Sequence, residues 1–249
     1  MTVSSSPSPL AGRRILITGA GSGIGKATAQ LFTARAARVA LVDNNLQAVT
    51  AVGDELKMPI FGCDVSNPDQ VERMIPEAAT ALQGIDGIVN AAGIFMGGAI
   101  EDLRVHDWHR VMNINLLGPF LICRQALPAL RQAASATIVN IGSIAGLQPA
   151  HGVAAYASSK AGLFMLSKCM AFEFGPTIRV NTVCPGAIET PMIQNGLTED
   201  ARARLQAANA SKRLGRPEEI AEAILYLSSP ASSYVNGATL VVDGGYSWR

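Results

Sequence analysis

The chain has few charges, few aromatic residues and few cysteines. Charged side chains make up 16% of its 249 positions and aromatics 5%, against 49% apolar. A disordered chain needs the opposite balance, so the sequence describes a packed globular protein. Net charge is +1, with 20 Lys and Arg against 19 Asp and Glu. No basic run stands out, so neither nucleic acid nor an anionic membrane is expected as a partner. Cys63, Cys123, Cys169 and Cys184 are scattered, with no C-x-x-C and no nearby His. They read as reduced core thiols, and no metal site is expected. No apolar stretch reaches the length of a membrane span: "INLLGPFLICRQALPAL" is interrupted by Asn115, Pro119, Arg124 and Pro128. The start, "MTVSSSPSPL", has no apolar h-region, and residues 1–9 read as a frayed tail. These features predict a soluble cytoplasmic protein.

What is present is alternation. Seven short runs rich in Val, Ile and Leu ("RILITG", "RVALVD", "PIFGCDV", "GIDGIVNAAG", "ATIVNIGS", "IRVNTVCPG" and "ATLVVDGG") are separated by helical patterns. Those helices are placed near Ile24–Ala36, Leu46–Lys57, Pro68–Leu82, Asp107–Gln132, Ala154–Phe174 and Glu199–Ala210, with another across "PEEIAEAILYLSS". Strands that are apolar throughout are buried on both faces, which requires a parallel sheet covered by helices. Repeated β–α units make the fold α/β and doubly wound, one domain over residues 10–249. In such sheets ligands bind beyond the carboxyl ends of the strands.

The first strand end carries "TGAGSGIGKATA". Its glycines allow a tight turn and close backbone approach, and the helix that follows presents free N–H groups to a phosphate. The G-x-G-x-x-G pattern fails at Ile24; G-x-x-x-G-x-G fits, through Gly19, Gly23 and Gly25. A Walker loop is excluded, because no G-K-S/T follows. The second strand ends at Asp43, eighteen positions after Gly25. A carboxylate there would hydrogen-bond ribose hydroxyls and repel a 2′-phosphate, which favours NAD over NADP.

The helix "AAYASSKAGLFMLSKCMAFEF" is apolar on more than one face, yet places Tyr156 and Lys160 one turn apart on the same face. With the glycine loop, "NAAG", "IGS", "PG" after the sixth strand and "VDGG", the ordered set resembles the short-chain dehydrogenase/reductase family from about Leu10 to Gly245. The resemblance implies a Rossmann-type sheet of seven parallel strands and a nicotinamide cofactor. It gives Tyr156 the role of general acid/base. Lys160 becomes its activator and ribose anchor, Ser143 the holder of the substrate oxygen, and Asn115 the keeper of a proton-relay water. Gly19, Ser22, Gly23, Ile24 and Gly25 would hold phosphate, Asp43 ribose, and Asp64 and Val65 adenine. Asn90, Ala91, Ala92 and Gly93 would pass along the cofactor, while Pro185, Gly186, Ile188 and Thr190 would frame the nicotinamide.

Three departures from the family pattern are visible. Ala91 replaces a second Asn common in relatives. "ARAARV" lacks the usual Gly at the first helix end, where Ala36 in a left-handed cap would cost about 1–2 kcal/mol, so that helix is expected to end differently. His106 and His109 lie near the substrate side and read as exposed polar residues.

A free tyrosine, with a pKa of about 10, is a poor base at neutral pH. An ammonium one turn away should favour the phenolate and bring Tyr156 towards working pH. The substrate pocket is expected from Ile94, Phe95, Met96, Ala145, Leu147, Gln148, His151, Met192 and Ile193, with Asn195 able to read hydroxyls. No Arg or Lys falls in these segments, which points to an uncharged secondary alcohol, diol, polyol or ketone. Within the same family a 3-oxoacyl-thioester reductase is the alternative, though it usually wants NADPH and a basic loop residue. A non-catalytic NAD-binding sensor or scaffold would be expected to have lost Tyr156 or Lys160. The apolar faces of the Tyr156 helix and of the Asp107–Gln132 helix predict a homo-oligomer, in the family typically a tetramer. The terminal "GGYSWR" is expected either to anchor that contact or to reach a neighbour's pocket.

Overall fold

The computed structural model describes residues 8–196 and 198–247. The tail expected over residues 1–9 falls largely outside them; Leu10 is already fully buried. Seven parallel strands form one sheet in the order β3-β2-β1-β4-β5-β6-β7. They are β1 (Arg14–Thr18), β2 (Arg38–Asp43), β3 (Ile60–Gly62), β4 (Gly87–Asn90), β5 (Ala136–Ile141), β6 (Ile178–Pro185) and β7 (Thr239–Val242). Side chains alternate across the pleat, so each central strand feeds two cores. Leu16, Ile88 and Ile138 pack on one face, while Ile15, Ile17, Val89 and Val139 pack on the other. Between β1 and β4 the winding reverses direction, which opens a crevice at the carboxyl edge.

The helices covering the first half of the sheet are α1 (Gly23–Ala34), α2 (Leu46–Leu56) and α3 (Pro68–Leu82). Asn45 caps α2 by accepting from the Ala48 N–H at 3.0 Å, and Asn67 caps α3 through the Gln70 N–H at 3.1 Å, with Pro68 preset for the first turn. The end of α1 differs from expectation. Ala36 does adopt the left-handed conformation, at φ 63°. Ala36 donates to the Thr33 carbonyl and Ala37 to the Phe32 carbonyl, each at 3.0 Å. These paired bonds satisfy the last carbonyls and outweigh the strain on Cβ. We expect Ala36→Gly to relieve about 1 kcal/mol and raise the melting temperature by roughly 2–4 °C, measured by thermal unfolding; a lowered midpoint would contradict the strain.

The stretch drawn from sequence as one helix over Asp107–Gln132 is three pieces. α4 (Val105–Met112) runs into a π-helical turn over Asn113–Leu117, and α5 (Gly118–Gln132) follows. The remaining helices are α6 (Ala154–Phe174), α7 (Pro191–Gly196), α8 (Glu199–Ala208) and α9 (Pro217–Ser228). α7, in "PMIQNG", is too short to show a period and was not expected from sequence. At the opposite edge from the crevice, Asp86 is nearly buried between two arginines. Its carboxylate accepts from Arg13 Nε at 2.6 Å and from Arg14 Nε at 3.0 Å. No helix among the described residues is long and apolar enough to cross a membrane.

Candidate active site

One cleft of about 590 Å³ lies along the carboxyl ends of the strands. At one end is the glycine turn. Gly19 holds φ +68°, and a Cβ there would stand 2.7 Å from the Ala92 nitrogen; at Gly25 it would stand 2.1 Å from the Gly19 carbonyl oxygen. The turn therefore closes only around bare backbone. No side chain caps α1, so its first N–H groups remain open for an anion where Ser22, Gly23, Ile24 and Gly25 line the cleft. Asp43 stands over this turn and accepts from the Gly21 N–H at 2.9 Å and from the Asn45 N–H at 2.9 Å. Asp64, Val65, Ala91, Ala92 and Gly93 continue the wall, and Pro185, Gly186, Ile188 and Thr190 complete it beyond β6. The bare-backbone cradle, the uncapped helix and the carboxylate beside them suit a dinucleotide.

Ser143, Tyr156 and Lys160 meet at the centre. β5 ends at Ile141 and delivers Ser143, while the first two turns of α6 deliver the other two. The Lys160 Nζ lies 5.7 Å from the centre of the Tyr156 ring and donates to the Ile141 carbonyl at 2.7 Å. Phe95 meets the Tyr156 ring edge-on, with centroids 5.3 Å apart and planes at 77°. Ser143 Oγ accepts from the Ala145 N–H at 3.2 Å, which fixes its orientation.

Electrostatics here correct one expectation. Spacing alone suggests that the ammonium controls the phenol. Burial acts first instead: it pushes Tyr156 above its ordinary value, with the Ser143 hydroxyl drawing it partly back. Burial also lowers Lys160 to about 8, opposed by Cys184. Both groups are desolvated together, so the protein alone holds the phenol protonated.

Two residues expected at the site stand behind its wall rather than in it. Asn115 is fully buried. Its Oδ1 accepts from the Ile94 N–H at 2.9 Å, and its Nδ2 donates to the Ile94 carbonyl at 2.9 Å and to Ser159 Oγ at 3.1 Å. These bonds pin the Asn113–Leu117 turn to the loop beyond β4 and to α6 itself. Asn90 also turns away, because its register places it opposite Asn140. It donates to Asn140 Oδ1 at 2.8 Å, and Asn140 donates on to Ser167 Oγ of α6 at 2.8 Å.

Of the expected pocket residues, Ile94, Phe95, Ala145, Gln148, Met192 and Ile193 line the cleft. Met96, Leu147, His151 and Asn195 do not line it, and neither do His106 and His109. His106 sits on the exposed start of α4 beside Asp107. Leu205 of α8 and Tyr246 beyond β7 line the cleft unforeseen; only the fold brings them there. Trp248 and Arg249 of the terminal "GGYSWR" lie outside the described residues. No cluster of three His, Cys, Asp or Glu able to hold a metal ion occurs among the described residues.

A family model described as enoyl-(acyl carrier protein) reductase matches residues 19–247. The chain is 38% identical over 242 residues to the 3-oxoacyl-(acyl-carrier-protein) reductase FabG of Thermotoga maritima, covering 95% of this chain and 98% of that one. It is 35% identical to the meso-2,3-butanediol dehydrogenase of Serratia marcescens, with 93% of each covered. Among solved structures, a short-chain dehydrogenase/reductase of Brucella melitensis superposes with a TM-score of 0.92 at 35% identity, over 97% of this chain and 99% of that one. Matched along almost its whole length in sequence and in fold, the chain belongs to the short-chain dehydrogenase/reductase family of oxidoreductases.

Proposed function

We propose that this protein transfers hydride between NAD(H) and an uncharged secondary alcohol, diol or polyol and its ketone, with Tyr156 as general acid/base. The observation carrying this reading is the meeting of Tyr156, Lys160 and Ser143 in one cleft with the glycine cradle. A nicotinamide cofactor bound there would supply the hydride acceptor or donor. The N–H groups at Gly23, Ile24 and Gly25 hold its phosphates, Asp43 its adenosine ribose, and Asp64 and Val65 its adenine. Pro185, Gly186, Ile188 and Thr190 shape the nicotinamide end. In oxidation Tyr156 takes the alcohol proton while Ser143 steadies the oxygen on which charge develops; in reduction Tyr156 returns the proton. Lys160 supplies positive charge beside the phenol, and Asn115 acts from behind by fixing Ile94 and Ser159.

Among the described residues Lys160 is the one Lys or Arg lining the cleft, and Lys26, next to the glycine turn, pairs with Glu55 at 3.6 Å. Neither a substrate anion nor a 2′-phosphate has an evident cationic partner, which supports an uncharged alcohol and NAD. The Serratia relative, a butanediol dehydrogenase, supports a diol; the Thermotoga relative, a 3-oxoacyl reductase, supports the second reading, reduction of a 3-oxoacyl thioester. Reduced-cofactor absorbance with NAD or NADP and a panel of secondary alcohols, diols, polyols and hydroxyacyl thioesters separates them. NAD is expected to exceed NADP in kcat/KM by roughly ten-fold or more. A clear NADP preference would overturn the role given to Asp43. The assembly proposed with this reading is a homotetramer. Phe172 at 91% exposure and Met165 at 60% on α6, with Phe120 on α5, form its contact surface; a monomer mass by light scattering would remove it.

A further inference from the structure

Residues 243–247 form a compact turn beyond β7, tied on one side to the segment after α8 and on the other to the loop after Ser143. Gly244 and Gly245 take φ 63° and 79°. Asp243 gathers the turn beneath itself, accepting from the Gly245 N–H at 2.8 Å and the Ser247 N–H at 2.7 Å. On one side the Gly244 carbonyl accepts from Ser211, just past α8, through its N–H at 3.1 Å and its hydroxyl at 3.2 Å. On the other side Gln148, on the loop after Ser143, donates its Nε2 to the Ser247 carbonyl at 3.1 Å. The turn is a strap joining the segment after α8 to the loop after Ser143, and it carries the half-buried Tyr246 into the lining of the cleft, to which Leu205 and Met192 also contribute. Asp43 ends β2, and Tyr246 follows β7, five strand spacings away in the sheet order, or about 24 Å. Tyr246 therefore belongs to the alcohol end and cannot reach the adenosine end.

We propose that Tyr246 is a specificity-determining residue, its ring setting the size of alcohol the site admits and the Gln148 latch holding the ring in place. This rests on the alcohol-oxidation reading above. The test compares 2-butanol, 2,3-butanediol and cyclohexanol with NAD in the wild type, Tyr246→Ala, Tyr246→Phe and Gln148→Ala. Losing the ring in Tyr246→Ala is expected to shift the cyclohexanol to 2-butanol ratio of kcat/KM by about ten-fold or more towards the bulkier alcohol. The shift should lie in the alcohol KM, with the NAD KM held within about two-fold. Tyr246→Phe keeps the ring and should keep the wild-type ratio. Gln148→Ala should move the ratio the same way and speed amide hydrogen exchange at Gly245–Ser247 by about ten-fold. A Tyr246→Ala ratio within about two-fold of wild type, or unchanged exchange in Gln148→Ala, overturns the proposal while leaving alcohol oxidation standing. A wild type that oxidises none of the three alcohols overturns this proposal, and the reaction reading falls with it when the polyols of the wider panel are not oxidised either.

Discussion

Tyr156→Phe will lower kcat for alcohol oxidation by about 10²–10⁴-fold and leave the KM for NAD nearly unchanged, in steady-state assays of reduced-cofactor formation. The substitution removes one hydroxyl and keeps the ring that Phe95 packs against edge-on, so the fold and the cofactor wall are preserved. Lys160 is not placed to take over as base, because its Nζ is turned to the Ile141 carbonyl, to which it donates at 2.7 Å. Ser143 is oriented by the Ala145 N–H and is far too weak an acid to replace the phenol. The pH profile carries a second signature. Burial holds the phenol protonated above its ordinary range and brings Lys160 down to about 8. Reduction, which consumes the phenol proton, is thus favoured on the acid side, and oxidation climbs as pH rises. Both slopes should flatten in Tyr156→Phe. Wild-type rates in that variant would sink the assignment of the base.

Asp86→Ala will destabilise the protein by about 3–5 kcal/mol, lowering the thermal midpoint by roughly 6 °C or more, with the cleft itself untouched. Asp86 has a side-chain exposure of 9% and pairs with Arg13 at 2.6 Å and Arg14 at 3.0 Å. It also accepts from the Arg14 backbone N–H at 3.0 Å. Arg13 continues the network to Thr137 Oγ1 at 2.9 Å and to the Ser228 carbonyl at 2.7 Å, joining β1, β5 and α9. Removing the carboxylate leaves two guanidinium groups facing each other with no compensating charge, and that penalty exceeds the worth of the pair itself. Asp86→Asn, which keeps shape and some hydrogen bonding, should fall between. The check is thermal or urea unfolding, alongside kcat/KM on whatever fraction stays folded. An Asp86→Ala midpoint within experimental error of wild type would show the network to be idle.

The sheet was readable because its strands are apolar on both faces, and the helix expected over Pro68–Leu82 has those bounds in α3. The glycine turn, Asp43 and the Tyr156–Lys160 pair were readable because each depends on chain neighbours. What escaped depends on distant partners. "NINLL" has nothing un-helical in its composition; its π turn is set by Asn115 bonding to Ile94, 21 residues earlier. Asn90 points away from the cleft because Asn140 opposes it in the sheet, and no local pattern reveals that register. Ala36 shows the reverse error: a sound steric cost, overruled by two backbone bonds that its position alone can make. Leu205 and Tyr246 arrive from segments whose only common property is where the finished fold delivers them.

The π turn takes up one residue more than a regular helix would use over the same span. Winding Asn113–Leu117 as a regular α-helix at the same length would turn everything downstream by about 100°. Ile122, Cys123, Ala126 and Leu130, which fill the core from α5, would swing towards water. One surplus residue thus acts as the gear tooth that lets a single rod present its polar clip at one level and its greasy flank, correctly phased, at the next.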